Sequence, residues 1–438
     1  MGVSENALLA WARGYLLKGA VLAALGLLMM LLYASTARAQ TFTVTNLNDS
    51  GPGSLREAIE AAEVNAGADE IVFAEGVGGT ITLASSLPVV RDPAGLIIDG
   101  GGDVTVSGNN AVQIFLLGSI SGEQGAALSL RNLKITDGKC PDVFCAGAAI
   151  FNVGKSLEVT NTTISGNDAA RGDGGGIANF GSGPLTVTNS TITDNSAVGG
   201  GGIYNRGTDL TVTNSTISGN SASVVGGGIL DEIGMQVTNS TITDNSASDG
   251  GGIYSTFVGG GQVTNSTIAG NSASGSGGGI FIDEGNFLDL RNTIVANNTS
   301  GGNCFRQGGF IVDDGYNVEN TDTCGFTRTS QQTGSLPNTD PLLDPAGLAD
   351  NGGPTQTIAL LPQSPAVDLV GQEACPPPQT DQRGVERPQG EACDSGAFEL
   401  VQGPQTKADC KQGGYKEFGF NNQGQCIASL QRNAEATQ

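Results

Sequence analysis

The chain contains no histidine among its 438 residues, which excludes imidazole acid–base catalysis and imidazole metal ligation at the outset. Carboxylates, a few basic groups and aromatics are left, and they gather at one recurring place. After the isoleucine of each Gly-Gly-Gly-Ile element stands Ala178, Tyr204, Leu230, Tyr254 or Phe281. Two residues further on stands Phe180, Arg206, Glu232, Thr256 or Asp283. If these elements are stacked strands, alternation turns both columns outward together. Arg206 and Glu232 would then be neighbours about 5 Å apart, and Glu232 and Asp283 roughly 10 Å apart. An aromatic stripe beside acids suits a glycan, which makes Tyr204, Arg206, Glu232, Tyr254, Phe281 and Asp283 the candidate ligand-binding residues. Two carboxylates at that separation sit near the upper limit for inverting glycoside hydrolysis. The plainer reading is a cross-strand ion pair beside an aromatic ladder, and no residue is assigned as catalytic or as a metal ligand.

The elements that must position this face are repeats. Leu185–Asn195 reads Leu-Thr-Val-Thr-Asn-Ser-Thr-Ile-Thr-Asp-Asn and returns at 157–167, 210–220, 235–245 and 261–271. The anchoring residues are Ile164, Ile192, Ile217, Ile242 and Ile268, with Ile294 in a degraded copy, at steps of 28, 25, 25, 26 and 26. Such a period indicates a solenoid. Within a unit, apolar Leu185, Val187 and Ile192 alternate with threonines, a strand pattern in β-branched residues. The Gly-Gly-Gly-Ile element supplies a further strand, so one period is one coil of a parallel β-helix. Equal positions become columns about 4.8 Å apart.

The columns account for the composition. Asn132, Asn161, Asn189, Asn214, Asn239 and Asn265 stand three residues before the anchor. Asn167, Asn195, Asn220, Asn245, Asn271 and Asn297 stand three after it. Asparagine tolerates the left-handed backbone of a sharp corner, and stacked amides hydrogen-bond along the axis. Asn189-Ser-Thr and its copies also fit the glycosylation acceptor pattern, but the ladder already explains their spacing. Among the 69 glycines, the runs before each isoleucine allow a tight corner.

Arg13 and Lys18 precede an apolar run from 19 to 33, and Ala37-Arg38-Ala39 offers a cleavage site, so residues 1–39 read as a signal peptide. The run is short for a membrane span, and the mature chain is expected to carry no transmembrane segment. Its removal takes Arg13, Lys18, Arg38 and Glu5 from the 20 basic and 43 acidic residues, leaving 17 and 42, net −25. That excludes nucleic acid as a partner and opposes direct grip on an acidic polysaccharide without a bridging cation. The eight cysteines all lie beyond residue 139, fitting an oxidising compartment. Proximity suggests Cys140–Cys145, Cys304–Cys324, Cys375–Cys393 and Cys410–Cys426, although other pairings are open. Asp313-Asp314-Gly315 and the turn residues Asp194 and Asp244 could offer oxygen ligands to calcium. Asp194 and Asp244 alternate with Gly219 and Gly270, however, so no continuous acidic column forms. No cofactor is expected beyond that calcium option.

Ser54-Leu55-Arg56-Glu57 is a capping box opening an amphipathic helix, with Leu55, Ala58, Ile59 and Ala62 on one face and Gly67 as its stop. Such a helix suits the open end of a β-helix, where an exposed edge invites aggregation. The segment Val44-Thr45-Asn46 through Asn48-Asp-Ser-Gly-Pro-Gly-Ser-Leu-Arg-Glu-Ala-Ile59 resembles the CSLREA-type N-terminal segment of secreted bacterial β-helix proteins, with Gly53 in place of the cysteine. The repeats resemble those of polymorphic outer-membrane proteins, with Gly-Gly-Gly-Ile for Gly-Gly-Ala-Ile and Ile192-x-x-Asn195 for Phe-x-x-Asn. Asp340-Pro-Leu-Leu343, Asn351-Gly-Gly-Pro-Thr355, Ser364-Pro-Ala-Val-Asp368, Asp381-Gln-Arg-Gly384, Arg387-Pro388 and Cys393-Asp-Ser-Gly-Ala-Phe-Glu399 resemble the C-terminal part of choice-of-anchor Q proteins. The tail around Cys410 and Cys426 resembles a small two-cysteine module of other secreted bacterial proteins.

Together these imply an exported, secreted or cell-surface protein. The expected fold is all-β: a right-handed, single-stranded parallel β-helix, a pectate-lyase-like solenoid, with an N-terminal capping helix. The expected divisions are 1–39 signal peptide, 40–110 cap and irregular coils, 111–300 regular repeats, 301–400 C-terminal coils and choice-of-anchor Q-like region, and 401–438 tail. The first functional expectation is an adhesive or structural rod, a monomer facing an extracellular glycan or a host or neighbouring cell surface. The alternative is a polysaccharide lyase or glycoside hydrolase. The Gly-His-Gly element of polygalacturonase-like enzymes is excluded, and between 156 and 290 only Arg171 and Arg206 could serve as the basic residue of a pectate lyase-like enzyme. The sole tryptophan, Trp11, lies in the signal, leaving Tyr and Phe as sugar platforms.

Overall fold

The computed structural model describes residues 38–118, 125–140, 145–256, 260–326, 334–375, 378–401, 403, 410–411 and 422–428. Residues 1–37 of the signal-peptide assignment and most of the tail fall outside them. Among the described residues, the solenoid comprises three parallel sheets of 19, eight and five strands, wound into about ten coils. We call them the main, isoleucine and side sheets. A fourth, two-stranded sheet stands apart near the C-terminus.

Register follows the repeats. Leu185 pairs with Leu157 and Leu210, Ile192 with Ile164 and Ile217, and Ile203 with Ile177 and Ile229. Over these coils each inward column repeats one residue type, and these residues are buried. A one-residue slip would turn each apolar column outward.

The Asn-Ser-Thr motif divides three jobs. Asn161, Asn189, Asn214, Asn239, Asn265 and Asn292 hold φ between 47° and 50°, the left-handed bend between the two strands of the main sheet. Ser190, Ser215, Ser240 and Ser266 are buried; each hydroxyl accepts from the backbone N–H of the preceding coil and donates to a carbonyl of its own. The threonine points outward. The second asparagine column is a buried ladder: Asn195 Nδ2 donates to Asn220 Oδ1 at 2.9 Å, Asn220 to Asn245 at 2.9 Å and Asn245 to Asn271 at 2.9 Å. The residue before each ladder asparagine is left-handed as well, at Asp194, Gly219, Asp244, Gly270 and Asn297. That explains the alternation of Asp and Gly there without a metal.

The degraded copy is displaced by one residue from its expected register. Ile268 pairs with Val295, not Ile294. Val295 is the inward anchor, Asn292 takes the left-handed bend and Asn298 continues the ladder, accepting from Asn271 at 3.0 Å. Asn297 is thus a bend residue and does not belong to the ladder. Ile294 faces outward into a second core formed with Ala296, Val318, Leu360, Ala366 and Phe398.

Within 301–400 the coils give way to this second core. The solenoid's last main-sheet strands are Phe310–Asp313 and Val318–Glu319. The chain then turns back along the outside of the main sheet. Leu343–Ala349 and Thr357–Leu360 pair antiparallel. Gln382 is buried over the threonine column: its Oε1 accepts from Thr241 Oγ1 at 2.7 Å, and its Nε2 donates to Thr216 Oγ1 at 2.9 Å. Gly396 has φ +99°, and a Cβ there would come within 2.7 Å of Ile294 Cδ1, so only glycine fits under this strap. Two buried ion pairs pin it, Arg383–Asp381 at 2.6 Å and Arg387–Glu399 at 2.9 Å.

At the other end, Leu55–Ala62 forms the helix α1. Ser54 caps it by accepting from Glu57 N–H at 3.2 Å, while Glu57 accepts from Gly53 N–H. The expected face, Leu55, Ala58, Ile59 and Ala62, is the buried one. The helix stops at Ala62, with Glu63 as C-cap and no glycine, ahead of the expected Gly67. All four expected disulfides are formed. Among the described residues no helix is long and apolar enough to cross a membrane.

Candidate functional site

The glycine corner before each isoleucine strand is enforced by close stacking. Gly174, Gly200, Gly226, Gly250 and Gly277 hold φ between 62° and 70°. A Cβ on Gly200 would lie 2.5 Å from the Ile203 carbonyl oxygen. The corner brings the side sheet against the outer face of the isoleucine sheet, and this decides what that face can do.

The candidate residues do stand together. Arg206 and Glu232 form an ion pair at 3.3 Å, with the Arg206 side chain largely in solvent. Tyr204 donates to Glu232 Oε1 at 2.8 Å. Tyr254 and Thr256 donate to Asp283 Oδ2 at 3.3 and 3.1 Å. The rings form a ladder: Phe180 meets Tyr204 edge-on at 5.3 Å, Tyr254 stacks on Phe281 at 4.6 Å, and Phe281 meets Phe305 at 5.2 Å.

Much of the expected aromatic stripe, however, is covered, with Tyr254 half-buried and Phe305 at its end exposed. Tyr204 is 4 % exposed, Leu230 6 % and Phe281 3 %. Alternation turned these residues outward, but the side sheet and the neighbouring rings then covered them. The position of a Cβ on Gly199, in the side sheet, is 2.9 Å from Leu230 Cδ2. Burial and the Glu232 carboxylate together hold the Tyr204 phenol protonated far above its usual range, and burial beside Asp283 pushes Tyr254 up to about 12. Both phenols are therefore fixed donors to their carboxylates.

Two acids at this face were not singled out in the sequence. Asp173 and Asp249 each stand directly before a Gly-Gly-Gly-Ile corner. Burial, and then the charge of Glu232, raises the Asp173 carboxyl above the usual range. Asp249 accepts from Ser276 N–H at 2.8 Å. Their position beside the corner was the available signal, since the corner folds them toward the tyrosines.

A third polar column was also missed, two residues after each isoleucine and directed inward. Asn152 Nδ2 donates to Asn179 Oδ1 at 2.7 Å, Asn179 to Asn205 at 2.8 Å, and Asn205 to Asp231 at 2.7 Å. Asp231 ends this run of asparagines as a buried carboxylate, and burial pushes it up to about 6. A carboxyl near 6 when folded and near 3.8 when unfolded binds more protons in the folded chain between those values. Stability therefore falls as pH rises from about 4 to about 6, and the penalty persists above that. Asp231→Asn supplies an uncharged amide to the ladder, facing Ser255 in the next coil. It is expected to stabilise the fold by about 1–3 kcal/mol at pH 7 and by little at pH 4. Denaturant unfolding of both proteins at the two pH values checks this; an equal difference at both would contradict it.

Among the described residues no group of three or more Cys, Asp or Glu is placed to hold a metal. The Asp313 carboxylate, one of the calcium candidates, instead accepts from Gly315 N–H, Asn317 Nδ2 and Ser335 Oγ.

A family model described as "Right handed beta helix region" matches residues 94–253. A comparison with solved structures finds pectate lyase Pel9A, with 13 % sequence identity, 84 % of this chain and 97 % of that chain covered, and a TM-score of 0.45. No curated protein matches the chain in sequence. The solenoid is a right-handed parallel β-helix.

Proposed function

We infer that the protein is an exported rod, secreted or held at the cell surface, that adheres to extracellular glycan without turning it over. The observation carrying this reading is the state of the isoleucine-sheet face. Tyr204 and Phe281 are covered, and Glu232 and Asp283 are bonded to neighbouring side chains, as befits a structural face. Export is supported by the leader-like residues 1–39 and by four disulfides, which persist in oxidising compartments. The likeness of 340–399 to choice-of-anchor Q proteins supports surface attachment, and the CSLREA-like and polymorphic outer-membrane-like segments support a secreted bacterial rod. Calcium would serve here only as a bridge to an acidic glycan. The test is retention on immobilised glycans, with and without calcium. Retention with intact glycan recovered is expected; release of fragments would overturn the reading.

One observation favours hydrolysis instead. Burial, and then the nearby charge of Glu232, raises the Asp173 carboxyl above its usual range, and glycoside hydrolysis draws its general acid from such a raised carboxyl. Against it, Tyr204 and Arg206 already occupy Glu232.

A further inference from the structure

Where the chain turns from the isoleucine sheet into the main sheet lies a surface cavity of about 320 Å³. Its shape comes from one column. Asp209, Gly234, Gly260 and Phe287 each stand just before the paired residues Leu210, Met235, Gly261 and Leu288, so they occupy equivalent places in four successive coils. Two glycines leave a gap between the carboxylate and the ring. Phe287 bends over Gly260, and a Cβ there would collide with its ring. The column on the other side of the paired residues supplies Gln236, Gln262 and Asp289. The result is a notch with a glycine floor, an aromatic wall and two amides and two carboxylates on its rim.

The polar groups of this notch are idle. Among the described residues none hydrogen-bonds the side chains of Asp209, Gln236, Gln262 or Asp289, in contrast to Glu232 and Asp283. The aromatic wall is open too: Phe287 is 43 % exposed, and Phe310, its neighbour in the next coil, 67 %. Backbone groups in this part of the main sheet pair from coil to coil, so the notch is no free edge onto which a peptide strand could add. Amides offer both donor and acceptor, carboxylates accept from hydroxyls, and a phenyl ring packs against an apolar face. Asp209 and Asp289 repel an anion, as does the net charge of −23.

We propose that this notch binds a neutral, polyhydroxylated glycan segment lying along the coil axis, spanning three coil spacings or about 14 Å. The proposal rests on the adhesive reading above and locates its binding site at the corner that follows the tyrosine face.

The experiment is calorimetric titration of the purified chain with cellotetraose, maltotetraose and mannotetraose, with tetragalacturonate as the charged control. One neutral tetrasaccharide is expected to bind. Phe287→Ala and Gln262→Ala, both at exposed positions, are each expected to weaken it about tenfold, with thermal unfolding checking that the fold survives. Tyr204→Phe is expected to leave affinity unchanged. Binding that survives Phe287→Ala and Gln262→Ala together would remove the notch and leave the adhesive reading standing. Preference for tetragalacturonate would overturn the ligand class. Absence of binding to all four probes would remove the notch, and intact-glycan retention in the immobilised assay would then show that the adhesive reading survives it.

Discussion

Arg387→Met is expected to release the C-terminal strap while leaving the coils intact. Arg387 is buried, and its Nη1 donates to Glu399 Oε2 at 2.9 Å and to the Asp394 carbonyl at 2.7 Å, while its Nη2 donates to the Gly396 carbonyl at 2.7 Å. Removing the guanidinium leaves Glu399 buried, with only the N–H groups of Gln389 and Asp394 as donors. Asp394 and Asp381 lie close enough to bear on the same guanidinium. Burial already raises Glu399, and burial together with the Glu399 charge pushes Asp394 up to about 7. Breaking one side of a buried pair costs about 3–5 kcal/mol. The strap should therefore open locally at pH 7, uncovering Thr216, Thr241 and Thr267. Hydrogen exchange reads this directly. The amides of Gly396 and Ala397, bonded to the Asn292 carbonyl and Thr267 Oγ1, should exchange faster, while those of Ile192 and Ile217 keep their protection. Unchanged exchange at Gly396 and Ala397 would show that the apolar contacts of Leu360, Ala366 and Phe398 suffice without the ions.

The second large effect is expected from Asn220→Ala. Asn220 Oδ1 accepts from both the backbone and the side chain of Asn195, at 3.0 and 2.9 Å. Its Nδ2 donates to Asn245 Oδ1 and to the Ile192 carbonyl, both at 2.9 Å. Alanine leaves the buried Asn195 N–H without this acceptor, at about 1–3 kcal/mol, and takes a further bond from Asn195 Nδ2, which keeps the Ile164 carbonyl, and from Asn245 Oδ1, which keeps the residue-220 N–H. With partial relaxation the loss should be about 3–5 kcal/mol. Asn189 is the contrast: its φ is 49°, which glycine adopts freely, so Asn189→Gly should cost about 1 kcal/mol or less. Denaturant midpoints of the two variants check the pair. Equal losses would mean that the amide ladder contributes no more than the bend.

The distinction between those asparagines shows where the sequence was legible. Stacking, register, the capping box and the disulfide pairs rest on neighbours within one or two repeats, and five near-identical copies made the columns readable. Both asparagine columns were visible, but the jobs assigned to them, bend and ladder, needed φ values and burial to be separated. The last copy misled because Ile294 and Val295 are both β-branched and apolar, and the Thr-Ile-Thr frame that marks the inward residue is lost there. Outside the repeats legibility fell sharply. Gln382 finds Thr241 across 141 residues, and nothing periodic announces that contact. The outward direction of Tyr204 and Phe281 followed from alternation. Their burial did not, because it depends on a side sheet built from Ser-Ala and Ser-Ala-Val stretches of little pattern. Asp209 and Phe287 gave no signal separately; they form one notch because the two intervening coils carry glycine.

The central claim is that the protein holds glycan without cutting it, and product formation tests it most directly. The purified chain should be incubated, with and without calcium, on neutral and acidic polysaccharides, following both new reducing ends and the ultraviolet absorbance of unsaturated products. The account predicts neither signal on any polysaccharide, including those that retain the protein. Reducing ends that disappear in Asp173→Asn or Glu232→Gln, or absorbance lost in Arg206→Ala, would contradict it and make the tyrosine face an active site.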